Sequence, residues 1–239
     1  MKTRILFVTA AALFTAPAAM GSIVGDPLVV TATSSLGTAQ FVVRLQDGTY
    51  NPSTGDFSYS SSSTVQLMDD SSGRLIGTLT GLSVGFIGDP QISIGFSVQS
   101  GAAPTSFTIA SGLNVFASIL NPAASGVASM TLTDNNSNGA TLTGDVAPGF
   151  SYGARFNGGN TYLNRVADLV AGPGQTVNDT GFLTGVVLGS VTDQSALYSF
   201  TLSGGDTASG TSVYTVVPAP AAGALILLSG LSLARRRRR

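Results

Sequence analysis

In the stretch QISIGFSVQ, Gln91 to Gln99, apolar and polar side chains alternate without a break. Ile92, Ile94, Phe96 and Val98 fall on one side, and Gln91, Ser93, Gly95, Ser97 and Gln99 on the other. A period of two is the repeat of a strand with one buried and one wet face; a helix would scatter the same residues around its axis. The pattern recurs in ASMTLT (Ala128, Met130, Leu132), in FSYGARF (Phe150, Tyr152, Ala154, Phe156, with Arg155 opposite) and in ALYSFTLS (Ala196, Tyr198, Phe200, Leu202). Further strands are expected at 39–45, 64–68, 74–80, 106–110, 113–119, 185–190 and 211–217, and a short helix at 161–171. Asp47-Gly48, Asn51-Pro52, Asp89-Pro90, Asn121-Pro122, Asn157-Gly158-Gly159, Gly172-Pro173-Gly174 and Gly204-Gly205-Asp206 punctuate the chain with turn signals. Many short alternating strands between turns predict an all-β fold: an antiparallel β-sandwich of jelly-roll or immunoglobulin-like kind. Composition agrees, because the chain holds no Glu, its only Lys is Lys2, and Gly, Ser and Thr are abundant.

Charge is segregated. Between residues 22 and 216 stand four arginines and all twelve aspartates, a net charge of −8, and the remaining basic residues are at the two ends. Such a body has no electrostatic attraction for nucleic acid. The chain contains no His, Cys or Trp. A Ser-His-Asp triad, thiolate chemistry and a zinc site are thereby excluded, and no body Lys is present to activate a nucleophile. No pair among the twelve aspartates is singled out by its spacing as the two carboxylates of a glycosidase, so the body is read as non-enzymatic.

The start, MKTRILFVTAAALFTAPAAMGS, has the layout of a secretory signal peptide: Lys2 and Arg4, an apolar core from Ile5 to Phe14, then small residues suited to cleavage. At the other end Ala221 to Ala234 is uncharged and rich in Leu, Ala and Gly, and Arg235 to Arg239 follow. As a helix these residues reach about 21 Å, short of a hydrocarbon core of about 30 Å. Adding residues 216–220 extends the uncharged run, and terminal arginines can snorkel to the interface. Cationic flanks stay on the cytoplasmic side, so the body is expected outside.

The segment VPAPAAGALILLSGLSLARRRRR, residues 217–239, resembles the PEP-CTERM sorting signal of exported bacterial proteins: a short proline motif, an apolar helix and a terminal arginine cluster. Here the motif Val217-Pro218-Ala219-Pro220 stands where the family generally has Pro-Glu-Pro, and Arg235, Arg236, Arg237, Arg238 and Arg239 form the cluster. The resemblance implies recognition by an exosortase-type membrane processing enzyme, transient anchoring through the C-terminal helix, and display at the cell surface or in an extracellular matrix. It also implies an association with exopolysaccharide or biofilm. The expected organisation is a signal peptide (1–21), a β-sandwich body (22–216) and a sorting and anchoring segment (217–239).

One local pattern points to a ligand. Asp134, Asn136, Asn138, Gly139 and Asp145 follow the order D-x-N-x-N-G-x5-D, close to a calcium loop with Asp in place of the final Glu. The flanks read as strands rather than helices, and an Asn/Gly-rich hairpin turn with positive-φ residues accounts for the same letters and is preferred. Asp69-Asp70 before Ser-Ser-Gly could donate to a cation or solvate a loop, and the loop is the preferred reading. Tyr50, Phe57, Tyr59 and Tyr162 lie beside polar turns, where aromatics can stack on sugar rings, although core or rim packing is the first reading. Two functions follow: a structural or interaction protein of the cell surface, or a polysaccharide- or calcium-binding module on the same scaffold.

Overall fold

The computed structural model describes residues 21–219; residues 1–20 of the expected signal peptide and residues 220–239 of the expected sorting segment lie outside the described residues. The chain order is β1 (Ser22–Ser34), β2 (Gly37–Val43), a 3-10 turn (Leu45–Asp47), β3 (Thr49–Asn51), β4 (Asp56–Ser61) and β5 (Val65–Met68). Then come β6 (Leu75–Ile87), β7 (Gln91–Ser100), β8 (Thr105–Leu120), β9 (Ala123–Thr133) and β10 (Ala140–Gly144). The last six are β11 (Phe150–Phe156), β12 (Asn160–Ala167), β13 (Leu169–Ala171), β14 (Thr176–Val186), β15 (Ser190–Leu202) and β16 (Thr207–Val217).

These strands form two antiparallel sheets packed as a sandwich. Sheet A has the order β12-β11-β15-β8-β1-β2, with β10 and β13 appended. Sheet B has the order β14-β9-β16-β7-β6-β4-β3, with β5 on β6. From β7 to β10, and again from β13 to β16, each connection carries the chain from one sheet to the other, so strands adjacent in sequence face each other across the core.

The period-two reading is realised in β7, where Ile92, Ile94, Phe96 and Val98 are buried and their neighbours are not. β15 behaves alike through Ala196, Tyr198, Phe200 and Leu202. Aromatic rings join the sheets: Phe96 of β7 meets Tyr198 edge-on at 4.9 Å and stacks on Phe200 at 5.9 Å, both on β15. Tyr162 of β12 stacks on Tyr214 of β16 at 5.4 Å. Edge-to-face and stacked pairs of this kind fix the sheets' relative placement beyond what area burial alone does.

Two expectations are corrected. Residues 161–171 are not a helix but β12 and β13, broken at Asp168. Helical spacing of Leu163, Val166 and Val170 was misleading: Arg165 lays its stem across Gly181 of β14, and Val166 adopts φ 67° to turn the strand. The strand expected at 185–190 is interrupted: Gly185 and Val186 end β14, Ser190 begins β15, and 187–189 form the turn between them, held by Val187 N–H donating to Pro122 O at 3.0 Å and Asn121 N–H to Gly189 O at 2.7 Å. β11 also departs from clean alternation. A bulge after Ala154 shifts its register with β12, and the Arg155 guanidinium covers Gly153 while donating to Asn164 Oδ1 at 2.8 Å.

Candidate functional site: the outer face of sheet B

Across the strands of sheet B only two residues are charged, Asp56 and Asp179. Asp56 begins β4 and accepts a hydrogen bond from Gly88 N–H at 2.7 Å; that bond and the Thr54 hydroxyl hold its carboxyl below the usual range. Asp179 lies in register with buried Met130 and accepts from Ala167 N–H at 2.8 Å, which ties edge strand β14 to β12 of the other sheet. Asp56 shares the outward side of β4 with Ser58 and Ser60, at the end of the strand, and the other outward positions of the sheet carry no charge.

Register places those outward residues in transverse rows. One row runs Thr180, Ser129, Thr211, Gly95, Ser83, Ser60. Beside it runs Asn178, Thr131, Ser209, Ser97, Gly81. On the other side runs Phe182, Val127, Val213, Ser93, Gly85, Ser58, Thr49, spanning seven strands. With neighbouring strands about 4.8 Å apart, that row is on the order of 29 Å long. Hydroxyls bond along the rows: Ser129 with Thr211 at 2.9 Å, Thr133 with Thr176 at 3.1 Å, and Thr80 with Ser97 at 2.8 Å. Such cross-strand pairs hold the side chains in one arrangement and leave spare lone pairs toward solvent.

Two depressions interrupt the face. One, of about 190 Å³, lies over Phe96 and Gly210 between Ser129, Thr131, Ser209 and Thr211. The other, of about 400 Å³, is centred on Gly85 and bordered by Thr49, Asn51, Asp56, Ser58, Ser93 and Ile87. A side chain at Gly85 would run into the Ser93 hydroxyl, so glycine keeps that trough open. At the β14 end the row finishes in Phe182, 72% exposed and in register with exposed Val127, itself in register with Val213. The face therefore combines fixed hydroxyls, shallow troughs and one apolar ledge, with no charged group in the three central rows and the Asp56 carboxylate at the edge of the larger trough.

The other sequence-derived candidates are placed as follows. Asp134, Asn136 and Asn138 belong to the connection from β9 in sheet B to β10 in sheet A; it is a crossover rather than a hairpin, because β9 and β10 do not pair. Its Ser137 and Gly139 do take positive φ, 62° and 89°. Asp134 is buried, and its carboxylate accepts from the N–H groups of Ser137 (3.1 Å), Asn136 (3.2 Å), Gly139 (3.0 Å) and Gly174 (2.7 Å). Burial opposes its ionisation, but the Gly174, Gly139 and Asn136 N–H groups and the nearby Asp206 side chain outweigh it and lower its pKa. Asp145 stands past the far end of β10, where it accepts from the Thr201 hydroxyl at 3.1 Å, while Asn136 donates to Gly204 O at 2.9 Å. The structure thus brings Asp134 and Asn136 to one crossover and leaves Asp145 one strand away. Among the described residues no three acidic side chains converge as a metal cluster.

Asp69 is also a turn organiser. It accepts from Thr38 N–H at 3.0 Å and from Ser71 and Ser72, and the two serine hydroxyls lead in lowering its pKa. Phe57 is core, Tyr59 packs against the core, and the Tyr162 hydroxyl donates to Ala124 O at 2.6 Å; Tyr50 remains exposed. Of the residues expected to form a sorting motif, Val217 ends β16, Pro218 and Ala219 follow without regular structure, and the rest is outside the described residues.

No known protein family matches the sequence, and no curated protein does. Among solved structures the chain is similar to the enzymatically active domain of bacteriophage CBA120 tailspike protein 4, at 9% identity and a TM-score of 0.31. That match covers 80% of this chain and 19% of the tailspike. A xylan-binding domain from Paenibacillus barcinonensis is similar at 9% identity and a TM-score of 0.30, covering 68% of this chain and 87% of that one. An arabinose-bound α-L-arabinofuranosidase is similar at 15% identity and a TM-score of 0.26, covering 66% and 23%.

Proposed function

We propose that this is an exported bacterial surface or matrix protein whose sandwich presents the outer face of sheet B to a neutral polysaccharide. The observation that carries the reading is that the three central rows of that face hold no charged residue in a body of net charge −8, the carboxylate of Asp56 standing apart at the β4 end. A polyanion is repelled by such a body, whereas a neutral hydroxylated polymer meets fixed hydroxyls over a broad area and an apolar ledge at Phe182 for its C–H surfaces. The role is structural or interactive rather than catalytic. Export rests on the signal-peptide pattern of residues 1–21, and retention and processing on the Val217-Pro218-Ala219-Pro220 motif and Arg235–Arg239, read as an exosortase-type substrate.

Affinity electrophoresis through neutral and acidic polysaccharides tests the face. Retardation by a neutral polymer should fall at least about tenfold in Thr211→Asp/Ser129→Asp, which sets two charges in the central row. Equal retardation of both proteins, or a preference for acidic polymers, rules the face out. For the tail, replacing Arg235–Arg239 with Ser should leave export intact and disturb surface retention and processing; unchanged display counts against the sorting reading.

A further inference from the structure

Five strand ends meet where the chain leaves β16. Ala123, the first residue of β9, lies in register between Val217 at the end of β16 and Val186 at the end of β14. Leu120, at the end of β8, pairs with Ser190 at the start of β15. Ser22, at the start of β1, pairs with Val115 of β8, so the N-terminal side of the body also emerges toward this end. The two turns here carry the most exposed aliphatic side chains of this end: Leu188 at 86%, Leu120 at 71% and Val186 at 57%. Their backbone is not loose. Asn121 Oδ1 accepts from Gly189 N–H at 2.7 Å, Asn121 N–H donates to Gly189 O, and Val187 N–H donates to Pro122 O, so the turns hold these side chains outward. Holding several large aliphatic groups in water serves no folding purpose and marks a contact surface.

The position of this tip relative to the rest of the chain identifies what it meets. The Leu- and Ala-rich segment begins at Ala221, four peptide steps past Val217, a distance of at most about 14 Å even when fully extended. Anything that takes up that segment therefore lies within reach of the tip. We propose that Leu120, Val186 and Leu188 form a foot that rests in the interfacial layer of a lipid bilayer. The inference rests on the reading of residues 217–239 as a membrane anchor. Once the tail is inserted, contact of the foot is intramolecular, and a few side chains suffice where they would not capture a free protein from solution. Asp56, Asp89 and Asp193 lie toward the same end: Asp56 accepts from Gly88 N–H beside Asp89, and Pro90 O accepts from Val216 N–H. Asp193 Oδ1 accepts from Gly158 N–H. These carboxylates oppose anionic headgroups, so the surface that fits is zwitterionic. The foot would stand the sandwich on its end and leave both broad faces in solvent.

The chain has no Cys, so Leu188→Cys gives a unique labelling site, and Ala102→Cys gives one in the connection before β8, at the opposite end. Full-length protein carrying a polarity-sensitive fluorophore at either position is reconstituted into phosphatidylcholine vesicles containing spin-labelled lipid. The foot predicts a blue shift and strong quenching at position 188 and neither at 102, with quenching at 188 reduced at least about twofold by Leu120→Ser/Val186→Ser. Hydrogen exchange of unsubstituted protein should also slow at 186–190 upon reconstitution. Co-sedimenting protein whose label at 188 is as wet as that at 102 overturns the foot while leaving the anchor. Protein that fails to co-sediment at all overturns both.

Discussion

Tyr214 offers a test in which removing a hydrogen-bonding group should make the protein more stable. Its side chain is fully buried between the sheets, its ring stacks on Tyr162 at 5.4 Å, and its hydroxyl has no partner among the described residues. Tyr214→Phe keeps the ring, the stacking and the volume, and removes only the unpaired hydroxyl. An unsatisfied buried polar group costs about 1–3 kcal/mol in desolvation, so the variant should gain an amount in that range. For a chain of this size about 1 kcal/mol corresponds to roughly 3 °C in Tm. Tyr162→Phe is the internal control: it removes a hydroxyl that donates to Ala124 O at 2.6 Å and should lose about 1 kcal/mol. Scanning calorimetry and urea denaturation of the three proteins give both values. Opposite signs are expected; a loss in Tyr214→Phe equal to that in Tyr162→Phe refutes the reasoning, because the Tyr214 hydroxyl must then be satisfied.

Other outcomes follow from the same geometry. Burial raises the pKa of Tyr152, Tyr198 and Tyr214, so their contribution to stability is complete below the unfolded value of about 10 and is lost as pH rises beyond it; in this Trp-free chain, tyrosinate absorbance should report these three ionising only as the protein unfolds. At the acid end, Asp69 and Asp134 have lowered pKa values, so their contribution is present above about pH 4 and lost as pH falls below it; Asp69→Asn should flatten that acid limb in a pH-dependent melting series. Calcium should leave Tm unchanged, since the Asp134 oxygens are occupied by N–H donors; a chelator-reversible rise in Tm contradicts this. Gly37→Ala should destabilise by more than about 1 kcal/mol, because Gly37 sits at φ 136° and an added methyl group would collide with the Asp69 carboxylate; an unchanged urea midpoint would show that the turn relaxes freely.

The fold class was legible because alternation is a local property: β7 and β15 bury the residues that a period of two selects. β12 and β13 were not legible, because their spacing fits a helix equally well and only Arg165 packing on Gly181, together with the turn at Val166, decides for strands. The Asp134 segment was read correctly as a positive-φ turn, but pairing is a long-range property, and the letters do not reveal that the turn joins two different sheets. The hydroxyl face was hidden for a related reason. Its serines and threonines are scattered through the sequence as ordinary outward residues, and only the register of β14, β9, β16 and β7 lines them up. The signal worth reading was negative: long strands without a single charged residue, as in β6, β7, β9 and β16.

The account stands or falls on which surface meets the polymer. Amide chemical-shift mapping of the isotopically labelled protein, titrated with a neutral polysaccharide, locates that surface residue by residue. The largest changes should fall on Ser129, Thr131, Ser209 and Thr211 and extend toward Phe182 and Ser93, with the outer face of sheet A silent. Changes confined to sheet A, or to the Asp134 crossover, would contradict the central claim.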